Sequence, residues 1–193
     1  EIKPSEYNGP SCSQPRRKTV TIGSKIFTNF KFILLKKYAL VTGGSRGIGR
    51  AVCLKLAEAG YHLLVNYKGN EEEAKKTCEL CRAHGVDAEP MRFDVAQPQE
   101  IQAVLGSWVE ASGKERVIEI LVNNAGVGYI MEPFTEFQER SWDTVLDVNL
   151  KGAFLCSKHA AIQMIRQETG GSIINIASQA AKSGFPFAAA YTA

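Results

Sequence analysis

Ser178 and Tyr191 stand thirteen residues apart in "ASQAAKSGFPFAAAYTA", and Asn149 precedes them in "DVNLKG". A serine and a tyrosine in that setting suit acid–base chemistry. A carbonyl that accepts hydride develops negative charge on oxygen, and a positioned proton donor lowers that barrier. Tyr191 is the candidate donor, and Ser178 is the group that would orient the same oxygen. A tyrosine hydroxyl in water titrates at about 10, too high for efficient exchange near neutrality, so such a site calls for a cationic partner. Asn149 falls in a long helical stretch from about Ser141 to Gln167. Asn is a mediocre helix former, so a solvated side chain or a local kink is the alternative to a working role.

Hydride chemistry needs a donor, and "TGGSRGIG" supplies a place for one. Gly43, Gly47 and Gly49 have the spacing G-x-x-x-G-x-G after the apolar run "YALV". One glycine lets the chain turn sharply out of a strand, another lets backbone approach a pyrophosphate, and a third lets the helix pack close to the sheet. The N–H groups at the helix start, with Ser45, Arg46 and Ile48 among the loop residues, would face the phosphates. The second strand ends "VNYKGN", with no carboxylate before Glu71. NAD sites place an acid there to bond the ribose hydroxyls. Without it a 2′-phosphate meets no repulsion, and Arg46 and Lys68 can supply positive charge. The cofactor expectation is NADP(H) over NAD(H), with a merely solvated Lys68 as the alternative for that residue.

The elements that must hold these residues alternate. "YALVTGG", "YHLLVNY", "AEPMRFDV", "VIEILVNNAG" and "SIINIAS" read as strands, the fully apolar ones suiting a sheet covered on both faces. Between them lie helices. The first places Ile48, Val52, Leu54 and Leu56 at roughly helical spacing. "EEEAKKTCELCRAHG" opens with acids that suit the helix dipole. A third is opened by Pro98 and runs to about Ala111. Strands alternating with helices predict an α/β protein, a Rossmann-type doubly wound parallel sheet. Residues 1–37 differ: rich in Pro, Ser, Gly and basic residues at first, they read as a disordered leader or a non-native extension. Residues 38–193 read as the nucleotide-binding domain.

Composition narrows the functions. Residues 1–37 carry eight Lys/Arg against two Glu, and residues 38–193 fifteen against eighteen Asp/Glu. The folded part is slightly acidic and offers no broad nucleic-acid footprint. No apolar run approaches the ~18 residues a membrane span needs. Five cysteines at irregular spacing argue against a disulfide framework. Cys78 and Cys81 form a C-x-x-C within a helix, with no second pair nearby, so no metal site is expected. His62, His84 and His159 are scattered and read as ordinary core or surface residues.

These motifs together resemble the short-chain dehydrogenase/reductase family over residues 38–193, about four-fifths of the chain. "TGGSRGIG" resembles its cofactor turn, Asp94-Val95 the pair beside the adenine, and "NNAG" the fourth-strand motif that sets Asn124 near the cofactor. The resemblance implies that Asn149 helps hold a proton-relay water, that Ser178 and Tyr191 are catalytic, and that Tyr191 also meets the cofactor. It further implies a lysine four residues beyond the tyrosine. The chain ends two residues beyond it, so the expectation is a C-terminally incomplete family member with about five of seven strands and little activity of its own. The first half looks most like 3-oxoacyl-(acyl carrier protein) reductases, while "MIRQETGGSIINIAS" resembles sugar and polyol dehydrogenases. The implied partner is a small or carrier-bound carbonyl substrate, in a cytoplasmic homo-oligomer. Organelle import would follow if the basic leader is a transit peptide. A non-catalytic nucleotide-binding module is the alternative of another class.

Overall fold

The computed structural model describes residues 35–128 and 131–193. The leader assigned to residues 1–37 lies outside them, except for its end. Lys36 and Lys37 already belong to the first strand, β1 (Lys36–Val41), where they pair with Arg116 and Val117. Their exposed ammonium groups reach Asp87 at 2.7 Å and Glu119 at 2.9 Å.

The chain then alternates as its apolar periodicity predicts. Helix α1 (Gly47–Glu58) leads to β2 (His62–Tyr67), α2 (Glu71–Arg82), β3 (Ala88–Arg92), α3 (Pro98–Ser112) and β4 (Arg116–Asn123). After β4 come α4 (Glu139–Leu146), a π-helical turn (Asp147–Lys151), α5 (Gly152–Arg166), β5 (Ser172–Asn175), and two short helices, α6 (Ala180–Ser183) and α7 (Ala189–Thr192). Local chemistry sets several of these ends. Asn70 caps α2 by accepting from the Glu73 N–H at 3.0 Å. Pro98 opens α3, and Gly113, at φ +58°, ends it.

The five strands form one parallel sheet in the order β3-β2-β1-β4-β5. Pro90 sits in β3, an edge strand, where its missing N–H costs least. Alternation along β1 divides the core. Tyr38 and Leu40 join Ile101, Leu105, Trp108, Cys156 and Ala160 under α3 and α5. Ala39 and Val41 join Cys53, Ala57, Ala74, Cys78 and Cys81 under α1 and α2. Each fully buried Leu or Val contributes about 1.5–3 kcal/mol, so a sheet covered on both faces carries most of the stability. Cys78 and Cys81 are therefore packing residues, and burial pushes their thiols up to about 12 and about 11.

One element departs from expectation. The buried stripe of α1 is Gly49, Cys53 and Ala57, whereas Ile48 is 66% exposed. Small residues at i, i+4 spacing let the helix lie close on the sheet, and the larger side chains flank the contact. The residues of β5 are exposed, Ile174 at 45%, and its sheet neighbour among the described residues is β4.

Candidate cofactor cleft and catalytic residues

Successive strands are added outward in one direction from β1 (β1, β2, β3) and in the other from β4 (β4, β5), so the order reverses between the parallel neighbours β1 and β4. Crevices at such switch points, beyond the carboxyl ends of the strands, are where open α/β sheets take ligands. A cleft of about 460 Å³ lies there, bounded by the glycine loop, the end of β2 and the residues after β4.

The glycine loop is stapled from both sides. The Thr42 hydroxyl accepts from the Asn124 and Ala125 N–H groups, each at 3.0 Å, and itself lies 3.3 Å from the Val122 carbonyl. The Asn124 side chain returns the contact, donating to the carbonyls of Thr42 at 2.9 Å and Gly43 at 3.2 Å. On the β2 side, Asn66 Oδ1 accepts from Gly43 N–H at 3.1 Å, while its Nδ2 donates to Phe93 O at 3.0 Å and Met91 O at 3.2 Å. Thr42 and Asn66 are only 1% and 2% exposed. Each bond contributes about 0.5–1.5 kcal/mol net, but orphaning one such buried group costs about 1–3 kcal/mol. The loop is thus held in one shape before any ligand arrives.

That shape fits a dinucleotide. Gly43 turns at φ +62°, and a Cβ added to Gly49 would stand 2.2 Å from the Gly43 carbonyl oxygen. At Gly47, φ +55°, an added Cβ would meet no protein atom within 4 Å, so the backbone there faces open space. Helix α1 begins at Gly47, and its first N–H groups and dipole favour an anion. Ser45, Arg46, Ile48 and Lys68 all line the cleft. The β2 end carries no carboxylate. Lys68 is not a free cation, however: its Nζ lies 2.7 Å from the Asp94 carboxylate, joining two of the sequence-chosen residues across the cleft. Burial raises the Asp94 carboxyl, but the Lys68 hydrogen bond, the Ala96 N–H and the Lys68 charge outweigh it and hold it below its ordinary value. Val95 lines the cleft and also packs on Gly152, where an added Cβ would come within 2.8 Å.

Asn149 lies in the π-helical turn, and its side chain is paired with backbone rather than solvated. Its Oδ1 accepts from Val127 N–H at 2.8 Å, and its Nδ2 donates to Val127 O at 3.1 Å. It closes against Gly126, where an added Cβ would be 3.2 Å from Oδ1. Single π-helical turns inside helices occur often at functional sites. Ser178 lies just beyond β5, and its Oγ accepts from Ala180 N–H at 3.2 Å. Tyr191 rides on α7, which packs on α4. Asn149 thus reaches the segment that follows β4 through the Val127 peptide, which lines the cleft, and Ser178 follows the carboxyl end of β5. Reading the sequence missed Thr42 and Asn66, whose only signal was a polar residue at the end of an apolar strand. It also missed Arg50 and Thr77, which hold the loop from α1 and α2.

No group of three His, Cys, Asp or Glu among the described residues could hold a metal, and no helix there is long and apolar enough to cross a membrane. A family model described as short chain dehydrogenase matches residues 37–193. The chain is 42% identical over 162 residues to the 3-oxoacyl-[acyl-carrier-protein] reductase FabG of Staphylococcus aureus, covering 82% of this chain and 63% of that protein. Among solved structures, an acetoin dehydrogenase from Enterobacter cloacae superposes with a TM-score of 0.74 at 36% identity, covering 82% of this chain and 61% of that one. A xylitol dehydrogenase with NAD+ bound superposes with a TM-score of 0.75 at 34% identity, covering 82% and 59%. The chain thus spans somewhat less than two thirds of the length of these relatives. With the parallel sheet, the stapled glycine loop and the matched span in agreement, this chain belongs to the short-chain dehydrogenase family.

Proposed function

We propose that the protein is an NADP(H)-dependent oxidoreductase that reduces a carbonyl to a secondary alcohol, with a 3-oxoacyl thioester on an acyl carrier protein as substrate. The observation that carries the cofactor choice is the ribose end of the cleft. There β2 ends in Asn66, Tyr67 and Lys68, and Arg46 borders the same space. A bound nicotinamide supplies the hydride. Tyr191 donates the proton to the developing alkoxide, Ser178 orients that oxygen, and Asn149 holds the Val127 backbone at the lining of the cleft. The 42% identity to a 3-oxoacyl-carrier reductase supports the substrate class. Fatty acid synthesis in the cytoplasm, by a homo-oligomer, is the setting that this substrate implies.

The test is NADPH oxidation with an acetoacetyl thioester, using this chain continued after Ala193 by the remaining segment of the Staphylococcus relative. Tyr191→Phe is expected to lower kcat by at least about a hundredfold, as for loss of a general acid. Turnover that survives Tyr191→Phe refutes the assignment, and tight NADPH binding without turnover of any carbonyl points to a nucleotide-binding module. The likeness to xylitol dehydrogenase favours a second substrate class, polyols. Faster NADP+ reduction by a polyol than NADPH oxidation by the thioester would select it.

A further inference from the structure

The charge at the ribose end of the cleft is not settled by the end of β2 alone. Glu71, Glu72 and Glu73 form the first turn of α2, directly after Gly69 and Asn70, which line the cleft. Carboxylates so placed repel a 2′-phosphate. Lys75 pairs with Glu71 at 2.7 Å, and the Arg50 guanidinium pairs with Glu73. Glu73 is the carboxylate on the glycine-loop side. The Arg50 hydrogen bond, Arg50's charge and the more distant charges of Lys76 and Arg46 outweigh burial and hold it below its ordinary value.

Arg50 does more than neutralise. Its Nε donates to Thr77 Oγ1 at 2.8 Å, and its Nη2 donates to the Ser45 carbonyl and, at 3.2 Å, to the Glu73 carbonyl. Thr77, fully buried, has one hydroxyl proton to share between the Ser45 and Glu73 carbonyls, at 2.9 and 3.0 Å. The Ser45 carbonyl is thus held from α1 by the Arg50 guanidinium and from α2 by the shared Thr77 hydroxyl. A peptide is planar, so this anchor also fixes the edge that carries the Arg46 N–H and the point from which the Arg46 side chain leaves the loop. A free peptide could turn its oxygen toward an incoming phosphate, and this one cannot without breaking both bonds.

We propose that Arg50 and Thr77 are positioning residues that set the preference for a phosphorylated dinucleotide, Arg50 by cancelling Glu73 and both by locking the Ser45–Arg46 peptide. This rests on the NADP(H) assignment above. Neither residue needs to touch the cofactor. Both act on groups that a 2′-phosphate meets and a ribose hydroxyl tolerates.

Fluorescence titration of the chain with NADPH and with NADH tests this. Arg50→Met is expected to raise the NADPH Kd about tenfold, a loss of about 1.4 kcal/mol, and the NADH Kd by less than about twofold. Arg50→Met with Glu73→Gln should recover most of the NADPH loss, because it removes the uncovered carboxylate; a purely structural Arg50 gives no such rescue. Thr77→Val should weaken NADPH selectively, and Thr77→Ser should not, which keeps the test open if Arg50→Met does not fold. Equal weakening of both cofactors, or no rescue by Glu73→Gln, overturns the proposal. A wild-type chain without NADPH preference overturns the cofactor assignment and this proposal together. A preference that survives Arg50→Met and Thr77→Val overturns only the role of these two residues.

Discussion

Gly49→Ala measures how tightly α1 is drawn against the glycine loop. The added Cβ would lie 2.2 Å from the Gly43 carbonyl oxygen, 2.9 Å from the Gly43 carbonyl carbon and 2.6 Å from Asn124 Nδ2. Ordinary contact needs about 1.3 Å more than the shortest of these, given separations of roughly 3.5 Å between non-bonded heavy atoms. Two of the three obstructing atoms are backbone, and the third is an amide already bonded to the Thr42 and Gly43 carbonyls. No side chain can swing away, so α1 must retreat and loosen Cys53 and Ala57, both 1% exposed or less. Overpacking of this kind costs about 1–3 kcal/mol, and immovable neighbours place it at the upper end. Alanine's better helix propensity returns about 1 kcal/mol, leaving a net loss of about 2 kcal/mol. With a urea m-value of about 2 kcal/mol/M, the unfolding midpoint should fall by about 1 M. Gly60→Ala is the control. Gly60 sits at φ +87° with nothing within 4 Å of an added Cβ, so its cost is backbone strain alone, about 1–2 kcal/mol. The two variants separate in function: Gly49→Ala should also abolish NADPH binding at micromolar concentrations, and Gly60→Ala should leave it intact. A Gly49→Ala chain that unfolds at the wild-type midpoint and binds NADPH normally refutes the close approach.

Asn149→Ala removes both partners of the Val127 peptide. It should cost about 1–3 kcal/mol and lower kcat in the extended chain more than it raises KM; an unchanged kcat would confine Asn149 to structure. Asp94→Asn should weaken folding by about 1 kcal/mol through the loss of the Lys68 pair. Because the folded carboxyl titrates below its ordinary 3.8, that contribution is present above this value and lost as pH falls through the depressed one. Denaturant midpoints of variant and wild type should differ by a constant amount from about pH 5 to about pH 8 and converge only in stronger acid; a gap that opens toward pH 8 contradicts the pairing. The thiols of Cys53, Cys78, Cys81 and Cys156 are buried and their titration is raised by that burial. Mass spectrometry after iodoacetamide treatment at pH 8 should find these four unmodified in the folded chain and alkylated in urea. Early labelling of Cys78 or Cys81 would show α2 to be less firmly packed than the core requires.

The legible parts of this protein are those written in local sequence. Strand and helix order follows from apolar runs and periodicity, and the glycine loop from the spacing of Gly43, Gly47 and Gly49 between a strand and a helix. What escaped is long in sequence and short in space. The Thr42–Asn124 staple joins residues 82 apart, and the Asn66 amide joins β2 to the loop 23 residues before it. No window along the chain contains both partners, so Thr42 and Asn66 appear only as polar residues ending apolar strands. The buried face of α1 escaped for a different reason. Hydrophobic periodicity weights Ile48 and Leu56 heavily, yet the helix meets the sheet through Gly49, Cys53 and Ala57 because close approach selects small residues.

Charge was legible in number and illegible in placement. The absence of an acid at the end of β2 can be read from "VNYKGN", and so can the run of three glutamates that follows. What decides the field at the ribose end is which of those charges is already spent. Lys68 faces Asp94, Arg50 faces Glu73, and Lys75 faces Glu71. Each pairing removes one charge of each sign from the balance a phosphate would meet, so the sum over the loop hardly changes while its distribution does. Arg46 is the loop cation that lines the cleft beside Lys68, and its backbone is held by the peptide that Arg50 and Thr77 anchor. A phosphate entering there either takes Lys68 from Asp94 or relies on Arg46 and the α1 N–H groups. The first route leaves a carboxylate with little exposure without its cation beside the cleft, which costs more than an exposed surface pair returns. Selectivity for the phosphorylated cofactor should therefore depend more on Arg46 and its supports than on Lys68, although each contributes one positive charge in the sequence.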